Sequence, residues 1–152
     1  MKIIVTGGAG YIGSHTVVEL VQSGFEPIII DNMSNSDERN LNGIQKVTGE
    51  KIKWYDADCT DYNALKSVFK KENDILGVIH FAAFKSVEES VRLPEKYYQN
   101  NIGSLEMLLK VMQGFRVNSL IFSSSCTVYG TPDILPVTED SSFKLAESPY
   151  GE

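Results

Sequence analysis

The sequence predicts an α/β protein built on a doubly wound parallel sheet, and three observations carry that expectation. Short apolar, β-branched runs alternate with amphipathic helical stretches along the whole chain. The first run, Lys2 to Thr6, leads at once into a cluster of glycines, Gly7, Gly8, Gly10 and Gly13. Small, polar and acidic residues such as Asp31, Asp58, Ala82 and Ser125 fall just after the ends of these runs. In open α/β sheets the carboxyl ends of the strands are where ligand groups collect. Right-handed crossovers make 3-2-1-4-5 the expected strand order.

Each element follows from its residues. Lys2 to Thr6 (KIIVT) is a buried strand. The glycines after it fit GxxGxxG through Gly7, Gly10 and Gly13, and equally GxGxxG through Gly8, Gly10 and Gly13. Either register supplies a tight turn, bare backbone for a pyrophosphate, and no side chain where helix crosses strand. A helix starting near Tyr11 would turn free N–H groups and its positive dipole end toward those phosphates. Ile12, Val17, Leu20 and Val21 recur at helical spacing, and Gly24 stops the helix. Glu26 to Ile30 is a second buried strand ending in Asp31, eighteen residues past Gly13. A carboxylate there is placed to accept hydrogen bonds from an adenosine ribose.

Asn32 to Asn40 reads as a polar loop, in which Ser36 or Asp37 caps a helix carrying Leu41, Ile44 and Val47 and ending at Gly49. Ile52 to Tyr55 is a short third strand. Thr60 is the expected N-cap of the next helix, whose inner face holds Leu65, Val68 and Phe69. Asp58 is either an acceptor for an adenine amine or a plain loop carboxylate near a helix start. Leu76 to Phe81 is the fourth strand, and Ala82 and Ala83 are small where a cofactor would pass. Pro94 fits the first turn of a long helix with Tyr97, Leu105, Leu108 and Met112 on one stripe and Gly114 at its end. Asn118 to Phe122 is the fifth strand, followed by Ser123, Ser124 and Ser125. Residues 132–142 are loop-like. Ser148 to Glu152 resembles the opening turn of another helix, so the chain reads as one domain, 1–152, that is cut rather than finished.

Composition narrows the partners. The 152 residues are 42% hydrophobic and 22% charged, which suits one core. A net charge of −6 argues against binding a nucleic-acid backbone. No run reaches the length of a membrane span, and Met1 leads straight into a strand rather than a signal peptide. Cys59 and Cys126 lack metal-type spacing and read as reduced thiols of a cytoplasmic protein. His15 and His80 have no partner at ligand spacing, and His80, inside an apolar strand, reads as structural. Cys126 has no base histidine beside it and reads as a packed thiol.

Five motifs together carry a resemblance: TGGAGYIG with Asp31, HFAA at His80 to Ala83, YYQNNIGS at Tyr97 to Ser104, SSSCTVYG at Ser123 to Gly130, and SPYG at Ser148 to Gly151. The chain resembles the extended short-chain dehydrogenase/reductase family and, within it, the UDP-glucose 4-epimerases, over essentially its whole length. The resemblance implies an NAD-binding Rossmann fold. It implies that Gly7, Gly10, Tyr11, Ile12 and Gly13 hold the pyrophosphate and Asp31 the adenosine ribose. Asn32, Met33, Ser34, Asn35 and Ser36 would wrap that ribose, and Asp58 and Cys59 would face the adenine. Phe81, Ala82, Ala83, Phe84, Lys85, Asn100 and Ser124 would line the cofactor, with Lys85 on the nicotinamide-ribose side.

Tyr150 would be the tyrosine of a Tyr-x-x-x-Lys pair and Ser125 its serine partner; Lys85, Ser125 and Tyr150 would also touch substrate. The paired lysine would fall two residues beyond Glu152. The implied reaction is a transient oxidation at C4 that interconverts UDP-galactose and UDP-glucose in a cytoplasmic homodimer of galactose metabolism. Residues 1–152 alone are not expected to turn over. Nucleotide-sugar 4,6-dehydratases and decarboxylases share the glycine turn, but the dehydratases carry Asp-Glu where this chain has Cys126-Thr127. A reductase using NADPH is disfavoured by Asp31 with no arginine directly after it. A non-catalytic dinucleotide-binding module is the alternative from another class.

Overall fold

Five apolar runs pair into a single sheet in the computed structural model, which describes Met1 to Glu152. The strands are β1 (Lys2–Thr6), β2 (Glu26–Asp31), β3 (Lys53–Asp56), β4 (Ile75–His80) and β5 (Leu120–Phe122). They lie in the expected order, β3-β2-β1-β4-β5, and every neighbouring pair is parallel. In register, Ile4 sits between Ile28 and Val78, and Val5 between Ile29 and Ile79. Because successive side chains point to opposite faces, this register sorts the core into two layers. Ile4, Ile28, Ile30 and Val78 pack with Leu65, Phe69, Leu108 and Val111 on one face. Val5 and Ile29 pack with Val17 and Ile44 on the other. Each such buried aliphatic side chain contributes roughly 1.5–3 kcal/mol of transfer free energy.

The helices are α1 (Tyr11–Gln22), α2 (Glu38–Thr48), α3 (Tyr62–Lys71), α4 (Val87–Arg92), α5 (Pro94–Tyr97) and α6 (Gly103–Phe115). Asp37 caps α2 by accepting the Arg39 N–H, and Gly49 ends it with φ at +75°. Thr60 is not the cap of α3: Asp61 accepts the N–H groups of Asn63 and Ala64, while Thr60 gives its own N–H and hydroxyl to Asp58. Helix α4 was not expected; it is capped by Ser86, whose Oγ accepts the Glu89 N–H. Pro94 does occupy a first helical turn, but the helix widens over Tyr98–Ile102 before α6 resumes. It runs past Gly114 to Phe115, and Arg116 takes the left-handed position with φ at +59°. No helix is long and apolar enough to cross a membrane.

The two ends of the sheet differ chemically. At the amino ends of the strands the buried Glu72 carboxylate accepts Lys2 Nζ at 3.0 Å, Tyr55 Oη at 2.5 Å, and Lys53 Nζ. Burial works to raise its pKa, but these three donors prevail and hold it down at about 2. At one margin of the sheet, the short β5 leaves Ile121 and Phe122 more than half exposed. The carboxyl ends open into a cleft.

Candidate functional site

The cleft has a volume of about 440 Å³ and lies at the carboxyl ends of β1, β2, β3, β4 and β5. At its centre is the glycine turn, where the structure selects one of the two registers. Gly7, Gly10 and Gly13 line the cleft and Gly8 does not. Gly7 has φ at +67°, and a Cβ there would press on the Phe81–Ala82 backbone at 2.7 Å; at Gly13 it would lie 2.2 Å from the Gly7 carbonyl oxygen. These two glycines let β4 and the start of α1 close against the turn. Gly8 is bare for a different reason, since a Cβ would run into Ile29 at 2.8 Å. Gly10 faces only the Gly7 oxygen at 3.1 Å. The protein itself barely requires a glycine at this position.

Helix α1 begins at the turn with Gly10 as a cap that has no side chain, and its first intrahelical bond is Ser14 N–H to Gly10 O. The N–H groups of Tyr11, Ile12 and Gly13 have no partner in the protein, as expected of a first turn. Two neighbours fix the turn in place. Ala9 donates its N–H to Asp31 Oδ2 at 3.0 Å, and its carbonyl accepts Asn40 Nδ2 at 2.7 Å. Asn40, on α2, carries no sequence signal for this task, because its partner is a backbone carbonyl 31 residues away.

Asp31 is almost fully buried at the tip of β2. Besides Ala9 it accepts the Met33 N–H at 3.0 Å and the Ser36 hydroxyl at 2.7 Å, both on Oδ1. A carboxylate offers about four acceptor positions, so one remains for a ligand hydroxyl. Asp58, across the cleft rim, accepts Thr60 twice and Asn32 Nδ2 at 2.9 Å. Partial burial works to raise its pKa, but those hydrogen bonds hold it below the usual carboxylate range. Cys59 also lines the cleft; burial, then the charges of Asp58 and Asp31, push its thiol up to about 12. It is therefore neutral and unreactive at neutral pH.

On the β4 side, Phe81, Ala82, Ala83, Phe84 and Lys85 form one wall with Asn100. His80 stands behind this wall, with Nδ1 2.6 Å from Thr6 Oγ1; burial pushes its pKa down to about 4, so it is a neutral structural group. At the far end lie Ser123, Ser124 and Tyr150. The Tyr150 N–H reaches Ser90 Oγ at 3.3 Å, and its ring meets Tyr97 edge-on with centroids 6.3 Å apart.

Nearly all the residues expected at a binding site lie together on this cleft. Met33 and Ser125 do not line it. Met33, with φ at +54°, turns the loop so that its N–H reaches Asp31. Ser125 caps a short turn at Cys126–Tyr129, where its Oγ accepts both the N–H and the hydroxyl of Thr127. Ser123, one of the three serines after the fifth strand, lines the cleft with Ser124, and Ala57 and Ser104 line it without having been expected there. Ser104 was findable, because it lies four residues after Asn100 on the same helical run.

A family model described as GDP-mannose 4,6 dehydratase matches residues 4–152. Among curated proteins, the UDP-glucose 4-epimerase of Bacillus subtilis is 51% identical over 153 residues, covering 100% of this chain and 44% of that protein. The UDP-glucose 4-epimerase of Dictyostelium discoideum is 50% identical, covering 99% and 43%. Among solved structures, UDP-glucose 4-epimerase from Bifidobacterium longum in complex with NAD+ and UDP superposes with a TM-score of 0.95 at 46% identity, covering 99% of this chain and 45% of that one. The enzyme from Stenotrophomonas maltophila with bound NAD and formylated UDP-arabinopyranose gives 0.93 at 44%, covering 99% and 44%. The chain thus spans a little under half the length of these relatives, and the resemblance drawn from its motifs is borne out.

Proposed function

Since the chain belongs to the family of the GDP-mannose 4,6 dehydratase model, we propose that its cleft holds NAD as part of an enzyme interconverting UDP-galactose and UDP-glucose. The observation that carries this reading is the bare Gly10 beside three unpartnered N–H groups of α1, with the buried Asp31 at one side. The residues present fit the cofactor. A diphosphate suits the N–H groups and the positive end of α1. A ribose hydroxyl suits the remaining acceptor position of Asp31, whereas a 2′-phosphate would meet a carboxylate of like charge. That favours NAD over NADP. The closely similar epimerases solved with NAD lend the same support.

Residues 1–152 are then an NAD-binding Rossmann domain, and the remaining assignments follow the cleft. Gly7, Gly10, Tyr11, Ile12 and Gly13 hold the pyrophosphate; Asp31 and the loop from Asn32 to Ser36 hold the adenosine ribose; Asp58 and Cys59 flank the adenine. When bound, NAD supplies the reversible oxidation of the sugar's C4 carbinol. The chain's own contribution is to hold and move the proton. Tyr150, at the cleft's far end, is the acceptor for the C4 hydroxyl proton. Ser125 does not line the cleft and has both acceptor positions taken by Thr127; its hydroxyl proton is left to donate to the sugar oxygen where the substrate extends past the cleft lining. Relaying a proton through Ser125 would require one of the Thr127 bonds to open.

Epimerisation is favoured over dehydration by what surrounds that end. The acids on the cleft are Asp31 and Asp58, both at the adenosine side. After Ser125 come Cys126 and Thr127, so no carboxyl group is in place there to protonate a leaving hydroxyl. The test has two arms. Calorimetric titration of NAD into residues 1–152 should show binding, with NADP weaker. A chain of the relatives' full length should interconvert UDP-galactose and UDP-glucose, its Tyr150→Phe variant should lose nearly all of that rate, and residues 1–152 alone should show none. Absence of NAD binding, or turnover undiminished by Tyr150→Phe, refutes the reading.

A further inference from the structure

We infer that Asn101 is a positioning residue for the dinucleotide, acting through Phe84, Lys85 and Asn100; this rests on the cleft being an NAD site. Asn101 lies in the widened turn Tyr98–Ile102, between α5 and α6. Such single wide turns re-aim side chains within an otherwise regular helix and are common at functional sites. Asn101 is not itself on the cleft, whereas its neighbour Asn100 is.

The Asn101 side chain grips the Phe84 backbone on both sides. Its Nδ2 donates to Phe84 O at 2.9 Å, and its Oδ1 accepts the Phe84 N–H at 2.9 Å. This reciprocal pair determines the orientation of the amide, because a flipped amide would set donor against donor and acceptor against acceptor. Oδ1 also accepts Asn100 Nδ2 at 2.9 Å, which fills both of its lone pairs. One side chain therefore sets two parts of the cleft wall.

The first part is the stretch from Phe81 to Lys85, which has no helix or strand of its own. Between the β4 end and the Ser86 cap of α4, the Asn101 pair is its hydrogen-bonded anchor to the helical layer, backed by the Ser86 N–H on Tyr97 Oη at 3.0 Å. Lys85, next to the gripped residue, is carried with it. The second part is Asn100. With one amide N–H committed to Asn101, its carbonyl Oδ1 has no protein partner and is left as an acceptor at the cleft wall. The adenosine side, by contrast, is built from β2 and the loops after β2 and β3, and its hydrogen bonds do not involve Asn101.

The test uses that separation. NADH and ADP are titrated calorimetrically into the wild-type chain and into Asn101→Ala and Asn101→Asp, and backbone amide exchange is followed from Phe84 to Ser86. Asn101→Asp keeps the acceptor for the Phe84 N–H and loses the donor to its carbonyl, so it guards against a poorly folded alanine variant. Asn101→Ala should weaken NADH about tenfold or more, the scale of one or two lost hydrogen bonds. Asn101→Asp, which sets an acceptor against the Phe84 carbonyl, should also weaken it, ADP affinity should stay within about twofold, and exchange at Phe84 should quicken in Asn101→Ala. Unchanged NADH affinity in both variants, or NADH and ADP falling together, overturns the inference. Failure of the wild-type chain to bind NADH overturns the underlying reading and takes the inference with it.

Discussion

Asp31→Asn changes one oxygen to an NH₂ group and nothing in volume, so its effect isolates the carboxylate. In the native protein Asp31 accepts three hydrogen bonds, from Ala9 and Met33 main chain and from the Ser36 hydroxyl. An amide can accept on one side only. If its oxygen faces Met33 and Ser36, the fully buried Ala9 N–H meets a donor and is stranded. If the oxygen faces Ala9, the Ser36 hydroxyl can rotate to accept, and it is the Met33 N–H that meets a donor, in a residue half-buried rather than fully buried. The second orientation is cheaper and is the one expected. The loss is then one hydrogen bond to a charged acceptor and the weakening of two others, roughly 1.5–3 kcal/mol. The same change removes the negative acceptor offered to a ribose hydroxyl, and NAD affinity should fall about ten- to a hundredfold. NADP, no longer opposed by charge, should fall less or gain. Urea denaturation and calorimetric titration of both cofactors measure these effects together. A variant with unchanged stability and an unchanged NAD-to-NADP ratio would show that Asp31 neither latches the turn nor reads the ribose.

Gly10→Val places a branched side chain where the protein offers only a single 3.1 Å contact, so far-UV circular dichroism should change little while NAD binding is lost; retained binding would contradict the pyrophosphate assignment. Glu72 should make the fold acid-sensitive. Its pKa is about 2 against an ordinary 4.5, so the unfolded chain binds the proton first, and stability is present above about 4.5 and lost as pH falls through about 2. Between pH 6 and pH 2 this amounts to roughly 3 kcal/mol at about 1.4 kcal/mol per unit, and Glu72→Gln should flatten that part of the pH profile in urea denaturation. A wild-type profile no steeper than that of Glu72→Gln would sink this assignment.

What could be read from the sequence was whatever rests on local chemistry. The strand order followed from alternation and crossover handedness, and the glycine turn from the strand before it and the helix after it. The choice between Gly7 and Gly8 was not legible in the spacing and came only from the resemblance, because it depends on Ile29 and Ala82, which only the sheet brings near. Helix α4 escaped notice because Val87 and Val91 face outward, 47% and 61% exposed, so its apolar residues mark the wrong face. Thr60 looked like a cap because its neighbour Asp61 is one too; the carboxylate took the helix, and the hydroxyl was drawn to Asp58. Ser125 was expected on the cleft, but Thr127, two residues on, binds its oxygen and turns it into a short helical cap. Asn101 could not be separated from Asn100 by letters alone. A widened helical turn decides which of the two lines the cleft.

The two margins of the sheet carry opposite surface chemistry. On β5, Ile121 and Phe122 are apolar and more than half exposed, whereas β3 at the other margin shows the charged Lys53 and Asp56. Charged side chains on a margin strand oppose the addition of a further strand there. The guard against unwanted pairing is thus built into β3.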